Sequence, residues 1–418
     1  MKRFLFVLAL LALMVGIATP VLAQECDDAL GCVEIGEDDP IVIASMLTTS
    51  GATSFLGADS EGGIELAIAG WDGELLGHEI EWVKEDSLCS AEGGQTAAQR
   101  VAADESVLGV VGTNCSSAAA AALPIISEAG LVLISPSNTA PTLTNDDTEA
   151  GGVYQPGYFR TAHNDLFQGA IAAQFAYDVL GARSLATIHD GSPYADGLQD
   201  VMATTFAELG GEVVFQGAVN VGDTEMGAIL TQIASDSPDV IYFPIFEPES
   251  NFIAAQSLDI DGLENTILMG ADGSFVDSFP ENTGDAAVGM YLSGPLVAGE
   301  AYDAFLELWD EEIGGVPPSG FHAHAFDATN ILLDAIEAVA VETDDGGLSI
   351  GRQALRDAIA ATTDFEGLTG TLTCQTEAPF IGDCATGEAL AVFEITQAEL
   401  DGNWPPPVAW QPGMDMDE

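Results

Sequence analysis

Short apolar runs alternate with amphipathic stretches along most of the chain. Ile41-Val42-Ile43-Ala44 is a continuous apolar run of strand length. Glu61 to Ala69 carries apolar residues at helical spacing. Ile80-Glu81-Trp82-Val83 alternates as a strand, and Gly94 to Ala103 reads as a helix. Val107 to Val111 is the next apolar run. An Ala-rich helix follows, in which Pro124 predicts a kink and Gly130 suits the C-terminal cap. Leu131 to Ile134 is then another buried strand. Continuous apolar strands separated by helices predict a parallel sheet covered on both faces.

The same rhythm starts again near Asn164. Leu166 to Leu180 is a helix closed by Gly181, and Ser184 to His189 is a strand. Helices at Leu198 to Leu209 and Met226 to Ala234 alternate with strands at Glu212 to Val219, Asp239 to Phe243 and Thr266 to Met269. Helices at Ala301 to Trp309, Gly320 to Ala340 and Arg352 to Ala361 precede a last strand, Leu390 to Ile395. A chain of 418 residues with this doubled pattern predicts two lobes. Residues 399–418 contain Trp404-Pro405-Pro406-Pro407 and read as a loose tail.

The N-terminus sets the compartment. Met1-Lys2-Arg3, the apolar run Phe4 to Ala18 and the small-residue site Val21-Leu22-Ala23 predict a signal peptide over residues 1–23. Cys26 is not placed as a lipoprotein cysteine, because Gln24 and Glu25 precede it. No other stretch is long enough to span a bilayer. The mature chain is therefore expected to be secreted across the cytoplasmic membrane, periplasmic or extracellular, and not an integral membrane protein. Residues 24–37 read as an acidic loop. Export makes the six cysteines an oxidisable set. Sequence alone does not fix their connectivity. Proximity suggests Cys26 with Cys32 and Cys374 with Cys384, which leaves Cys89 with Cys115.

Charge narrows the partners. The chain carries 67 acidic and 8 basic residues, a net −59, and Lys84 is the only lysine beyond the leader. Such a surface repels nucleic acid and anionic membranes. The scarcity of lysine removes P-loop, Schiff-base and Ser-x-x-Lys chemistry. No cofactor is indicated. His322 and His324 raise the question of a metal, but an i,i+2 pair on a helix points in different directions and no third ligand is evident. Asp259-Ile260-Asp261-Gly262 lacks the acidic twelfth position of a calcium loop.

The stretch Gly109 to Pro141, GVVGTNCSSAAAAALPIISEAGLVLISPSNTAP, places two hydroxyl-rich turns at the carboxyl ends of adjacent parallel strands. Ligands of open α/β sheets bind at that edge. Ser116 or Ser117 can cap the helix between the turns, and the free amides of its first turn suit an anion.

NCSSA followed about twenty residues later by PSNTAP resembles the Leu/Ile/Val-binding family, type I periplasmic binding proteins that feed ABC transporters. The resemblance runs from about Pro40 to Thr396. It implies an α/β fold of two Rossmann-like lobes with parallel central sheets, joined by three hinge crossings. The first crossing falls at Phe159-Arg160-Thr161, the second near Val288 to Pro295, and the third at Phe365 to Gly370. Lobe 1 is then 38–162 with 296–367, and lobe 2 is 163–295 with 368–398.

The resemblance also implies a set of ligand-binding positions. Ser116 and Thr139 would hold a carboxylate, Ser137 would receive an ammonium through its carbonyl, and Asp272 would supply the anion for that ammonium. Tyr194, Phe246 and Phe321 match aromatic positions of the cleft. Leu56 stands where the family has a covering aromatic, with Phe55 beside it. The pairing of Cys89 with Cys115 is likewise supported. The implied function is a non-enzymatic extracytoplasmic receptor that binds a small aliphatic or branched-chain amino acid and delivers it to ABC transporter permease subunits, acting as a monomer. A receptor for a neutral amide or urea-like solute is the second reading. A serine hydrolase built on Ser116, His189 and Asp190 is the third, although no G-x-S-x-G elbow occurs.

Overall fold

The computed structural model describes residues 26–414 apart from residues 386 and 388. The leader predicted over residues 1–23 lies outside these, as do residues 415–418. Two sheets carry the molecule. The first has six strands in the order Glu74–Leu75, His78–Asp86, Ile41–Leu47, Val107–Gly112, Val132–Ser135 and Tyr158–Arg160. All neighbours are parallel except the short Glu74–Leu75 pairing. Ile41–Leu47 and Val107–Gly112 are buried along their whole length. Helices on both faces explain their unbroken apolar sequence.

The second sheet has seven strands. In order they are Val408–Trp410, Leu390–Glu394, Tyr291–Pro295, Ile267–Gly270, Val240–Tyr242, Ser184–His189 and Glu212–Ala218. The five from Tyr291–Pro295 onward are parallel, and the first two are antiparallel additions at one edge. Leaving those aside, and the short Glu74–Leu75, each sheet has the strand order 2-1-3-4-5. The order reverses between strands 1 and 3, and a crevice opens there above the carboxyl ends. The chain passes between the sheets three times. Helices His322–Val339 and Arg352–Ala360 return to pack on the first sheet before Leu390–Glu394 rejoins the second.

Three expectations change. The stretch beyond residue 398 is not a loose tail. Val408–Trp410 pairs with Leu390–Glu394, and Trp410 is buried with its ring 5.9 Å from that of Phe175. Apolar burial of Val408 and Trp410 outweighs the prolines before them. Residues 24–37 are not only a loop, since Cys32–Ile35 pairs with Leu348–Gly351 and buries Val33 and Ile35 in the first core. Two helices also begin earlier than their periodicity indicates. One spans Ser54–Gly70, which places Leu56 in its first turn. The other spans Pro193–Glu208, with the Ser192 hydroxyl accepting from the Ala195 amide and Pro193 at the first helical position.

Disulfides join Cys26 to Cys32, Cys89 to Cys115 and Cys374 to Cys384. The helix Ser116–Glu128 continues through Pro124, and Gly130 follows its end at φ +76°. Cys115, not a serine, occupies its N-cap, with no side-chain cap.

Candidate functional site

The crevices of the two sheets face each other and enclose one cavity. Strand 1 of the first sheet leads to Leu56, strand 3 to Asn114 and Ser116, and strand 4 to Ser137. In the second sheet, strand 1 leads to Tyr194, strand 3 to Phe246 and strand 4 to Asp272. The two lobes thus contribute from the same three strand ends. Phe321, at the N-cap of helix His322–Val339, completes the lining. The space left is only about 10 Å3, close to the room a single water needs. The lobes are shut on one another.

On the first lobe the turns are held by a buried polar web. Asn114 accepts from the Thr48 amide at 2.8 Å and donates to the Leu56 carbonyl at 3.1 Å and the Ser60 hydroxyl at 2.9 Å. One side chain therefore fixes the ends of strands 1 and 3 together. Ser137 donates to the Asn114 carbonyl at 3.0 Å. Ser135 shapes the next turn, accepting from the Ser137 and Asn138 amides. The Ser116 hydroxyl accepts from the Ala140 amide at 3.3 Å. Among the described residues no hydrogen bond takes the Ser116 or Ser117 amide, the orphan donors that every helix start leaves.

Close backbone packing supports this edge. A Cβ on Gly57 would lie 2.0 Å from the Thr48 carbonyl oxygen, and one on Gly112 would lie 2.5 Å from that of Met46.

On the second lobe the acid is prepared. Asp272 is 4% exposed. Its Oδ1 accepts from Gln168 Nε2 at 2.7 Å and from the Tyr194 hydroxyl at 2.9 Å. No hydrogen bond among the described residues reaches its Oδ2. Tyr194 in turn accepts from the Gly273 amide at 2.9 Å and lies 5.0 Å, ring to ring, from Phe246. Burial pushes the Asp272 carboxyl up to about 6, against the two hydrogen bonds, which lower it. Behind it lies Asp165, fully buried, with neither carboxyl oxygen hydrogen-bonded. Burial first, and the neighbouring Asp272 charge second, push its carboxyl well above the usual range.

Thr139 does not line the cavity. Its carbonyl accepts from the Asp165 amide, and Arg160 grips the carbonyls on either side, those of Asn138 and Ala140, at 3.0 Å each. The turn is held from behind, and the Thr139 hydroxyl is buried without a partner. Arg160 also pairs with Asp383, both buried, and so ties the first crossing to the segment after the third.

Of the two aromatic-or-leucine choices near residue 55, Leu56 faces the cavity. Phe55 packs against the core of the other lobe. His189 pairs with Asp196 at 3.3 Å, and Asp190 accepts from the Ser192 amide, so both serve their own turn and neither bonds Ser116. His322 lies between Asp59 at 3.0 Å and the Tyr302 hydroxyl at 2.7 Å. Among the described residues no group of three or more His, Cys, Asp or Glu side chains could hold a metal.

The sequence does not single out Asn114, Gln168 or Asp165. Arg160 carries a signal of its own, as one of few basic residues and inside an apolar strand.

Two α/β lobes of equal strand order, closing on a site drawn from both, define a solute-binding protein of the periplasmic type. The chain belongs to the periplasmic binding protein family, whose model matches residues 40–396. It is 27% identical over 302 residues to the Leu/Ile/Val-binding protein homolog 1 of Brucella abortus, covering 71% of this chain and 78% of that protein. It is 28% identical over 272 residues to the Leu/Ile/Val/Thr-binding protein of Salmonella typhimurium, covering 64% and 71%. The crystal structure of the leucine-binding protein LivK from Thermotoga maritima superposes with a TM-score of 0.76 at 26% identity, covering 89% of this chain and 99% of that one. A solute-binding protein of R. palustris in complex with benzoate has the same fold, with a TM-score of 0.70 at 20% identity and coverage of 85% and 93%. These relatives and this fold are solute-binding proteins, not enzymes. Family membership implies an extracytoplasmic location. Among the described residues no helix is long and apolar enough to cross a membrane.

Proposed function

We propose that this chain is the receptor of an ABC importer and captures a small aliphatic amino acid between its lobes. Lobe 1 would be residues 38–162 with 296–367, and lobe 2 residues 163–295 with 368–398 extended by the terminal strand. The mature monomer, freed of its leader, would hand the solute to permease subunits. The observation that carries this reading is the polarity of the cavity. A carboxylate with one unpartnered oxygen, Asp272 Oδ2, belongs to one lobe. Unpartnered helix amides and the Ser116 hydroxyl belong to the other. A zwitterion satisfies both ends, and Leu56, Tyr194, Phe246 and Phe321 leave an apolar wall for an aliphatic side chain. Relatives named for Leu, Ile and Val binding support the same class.

A neutral amide or urea would leave Asp272 as a buried charge without a counter-ion, at a desolvation cost. Titration calorimetry with leucine, isoleucine, valine, propionamide and urea separates the readings. Asp272→Asn should weaken leucine binding by at least about thirty-fold, because breaking a buried charge pair costs about 2–5 kcal/mol. Ser116→Ala should weaken it roughly ten- to a hundred-fold, through a lost hydrogen bond to a charged group. Tighter binding of amides than of amino acids by the wild type would overturn the amino-acid reading.

A further inference from the structure

A second cavity of about 600 Å3 lies between the lobes, apart from the first. Its size falls within the range of about 300–1,000 Å3 typical of small-molecule sites. One wall belongs to lobe 2. There the Phe275 ring lies 4.7 Å from that of Phe393 and 5.0 Å from that of Trp404, tilted to both. The other wall belongs to lobe 1, with Tyr302 and Leu306 from helix Glu300–Glu312 and with Val316, which is 55% exposed. The same helix brings Asp303, Glu307 and Asp310 to the lining. Their spacing of four and three residues places them on one exposed face. Among the described residues no lysine or arginine lines the cavity.

We infer that this cavity is a second ligand site, built for an amphipathic cation with an aromatic or aliphatic body and one ammonium group. The aromatic walls bury the body and attract the cation by their ring faces. The three carboxylates hold the ammonium at the mouth and repel an anion of the same shape. Acidic side chains are common on this chain. The distinguishing feature is their convergence on the opening of a preformed apolar cavity. The cavity also shares framework with the first site. The Phe275 amide donates to the Asp272 carbonyl at 3.0 Å. The Phe321 amide and His322 share the Asp59 carboxylate, at 2.9 and 3.0 Å. A ligand here touches both lobes and leans on segments that line the amino-acid cavity, yet the inference does not depend on what fills that cavity.

The test titrates the full chain with 2-phenylethylamine, 2-phenylethanol and phenylacetate, following Trp404 fluorescence with Trp404→Phe as the blank. Work at 1 M NaCl, where the screening length is about 3 Å, suppresses diffuse attraction to the acidic surface. The amine should bind saturably and at least about ten-fold more tightly than the alcohol, and phenylacetate should not bind, as a single cation contact of about 1.4 kcal/mol requires. The combined Asp303→Asn, Glu307→Gln and Asp310→Asn variant changes only exposed side chains. It should reduce that advantage to what the ring faces alone supply and leave alcohol binding unchanged. Three outcomes would each overturn the assignment: no saturable amine signal, equal affinity for all three probes, or full amine affinity in the triple variant. Loss of the amine signal in Asp272→Asn would show instead that it binds in the first cavity.

Discussion

At the scale of single residues the chemistry concentrates on Asp272. Its carboxyl lies at about 6 in the closed cleft, against 3.8 for an unperturbed group, because burial disfavours the charge. The sign of the consequence follows from proton binding. Between about pH 4 and 6 the folded, closed form holds the proton and the unfolded chain does not, so stability falls as pH rises through that window. Above it the cost of the buried charge is fully present, on the order of 3 kcal/mol by the size of the shift. Asp272→Asn keeps an acceptor for Gln168 and Tyr194 and removes the charge. Small-angle scattering at pH 7.5 without ligand should therefore show the variant more compact than wild type, because the cost of closing is removed, although it binds leucine poorly. Leucine affinity of the wild type should fall at low pH, toward tenfold per unit once protons bind Asp272 in the open, ligand-free form, while that of Asp272→Asn stays flat. A variant no more compact than wild type, or a pH-independent wild type, would show that Asp272 is not charged in the dry cleft.

At the scale of elements, the Cys89–Cys115 bridge sets the donor end of the site. It pins the N-cap of helix Ser116–Glu128 beside the loop after strand His78–Asp86, and the Ser117 hydroxyl adds a bond to the Cys89 carbonyl at 3.1 Å. A closed loop of 26 residues corresponds to about 3 kcal/mol of chain entropy. A Cys89→Ala/Cys115→Ala double variant should thus melt about 6–12 °C lower, at 2–4 °C per kcal/mol. It should also bind leucine more weakly, because the orphan amides lose their fixed position. A melting point within 1 °C of wild type would remove the bridge from the account.

Elements were legible in the sequence where apolar runs decide them, as for Ile41–Leu47 and Val107–Gly112. They were less so where close packing replaces periodicity. Helix Ser54–Gly70 uses Gly57, Gly62 and Gly63 at contacts too tight for a Cβ, and a Cβ on Gly62 would lie 2.2 Å from the Trp309 ring. The apolar spacing becomes legible only from Glu61, past Gly57. The start of Pro193–Glu208 lay hidden because Tyr194 to Gly197 shows no apolar period. The final strand lay behind three prolines. Among site residues, Ser116, Ser137 and Asp272 stand at strand ends and could be named. Asn114 and Gln168 act through partners far away in the chain, which no local pattern reveals. Thr139 sits in the right turn but faces inward, a matter of how Arg160 grips the backbone.

At the scale of the whole molecule, the cavity of about 10 Å3 admits no amino acid unless the lobes part. Each lobe contributes half of the polar site, so neither half is complete while the cleft is open. Closing without ligand dries the Asp272 charge and brings together two acidic lobes of a chain with net charge −59. Both effects favour the open form, and the three crossings provide the hinge. A zwitterion reverses the first effect. To shift the population from mostly open to mostly closed it must favour the closed form by about 10⁴-fold. Small-angle scattering should therefore give a smaller radius of gyration with saturating leucine than without. The second effect is a long-range repulsion between exposed charges, and salt screens it. The pair between ammonium and Asp272 is buried and is screened far less. Leucine affinity should consequently rise, not fall, between 0.05 and 1 M NaCl, the range over which the screening length drops from more than 10 Å to about 3 Å. An affinity that falls with salt would mean that an exposed ion pair, and not closure over a buried one, holds the ligand. An unchanged radius of gyration under calorimetrically saturating leucine would rule out closure altogether.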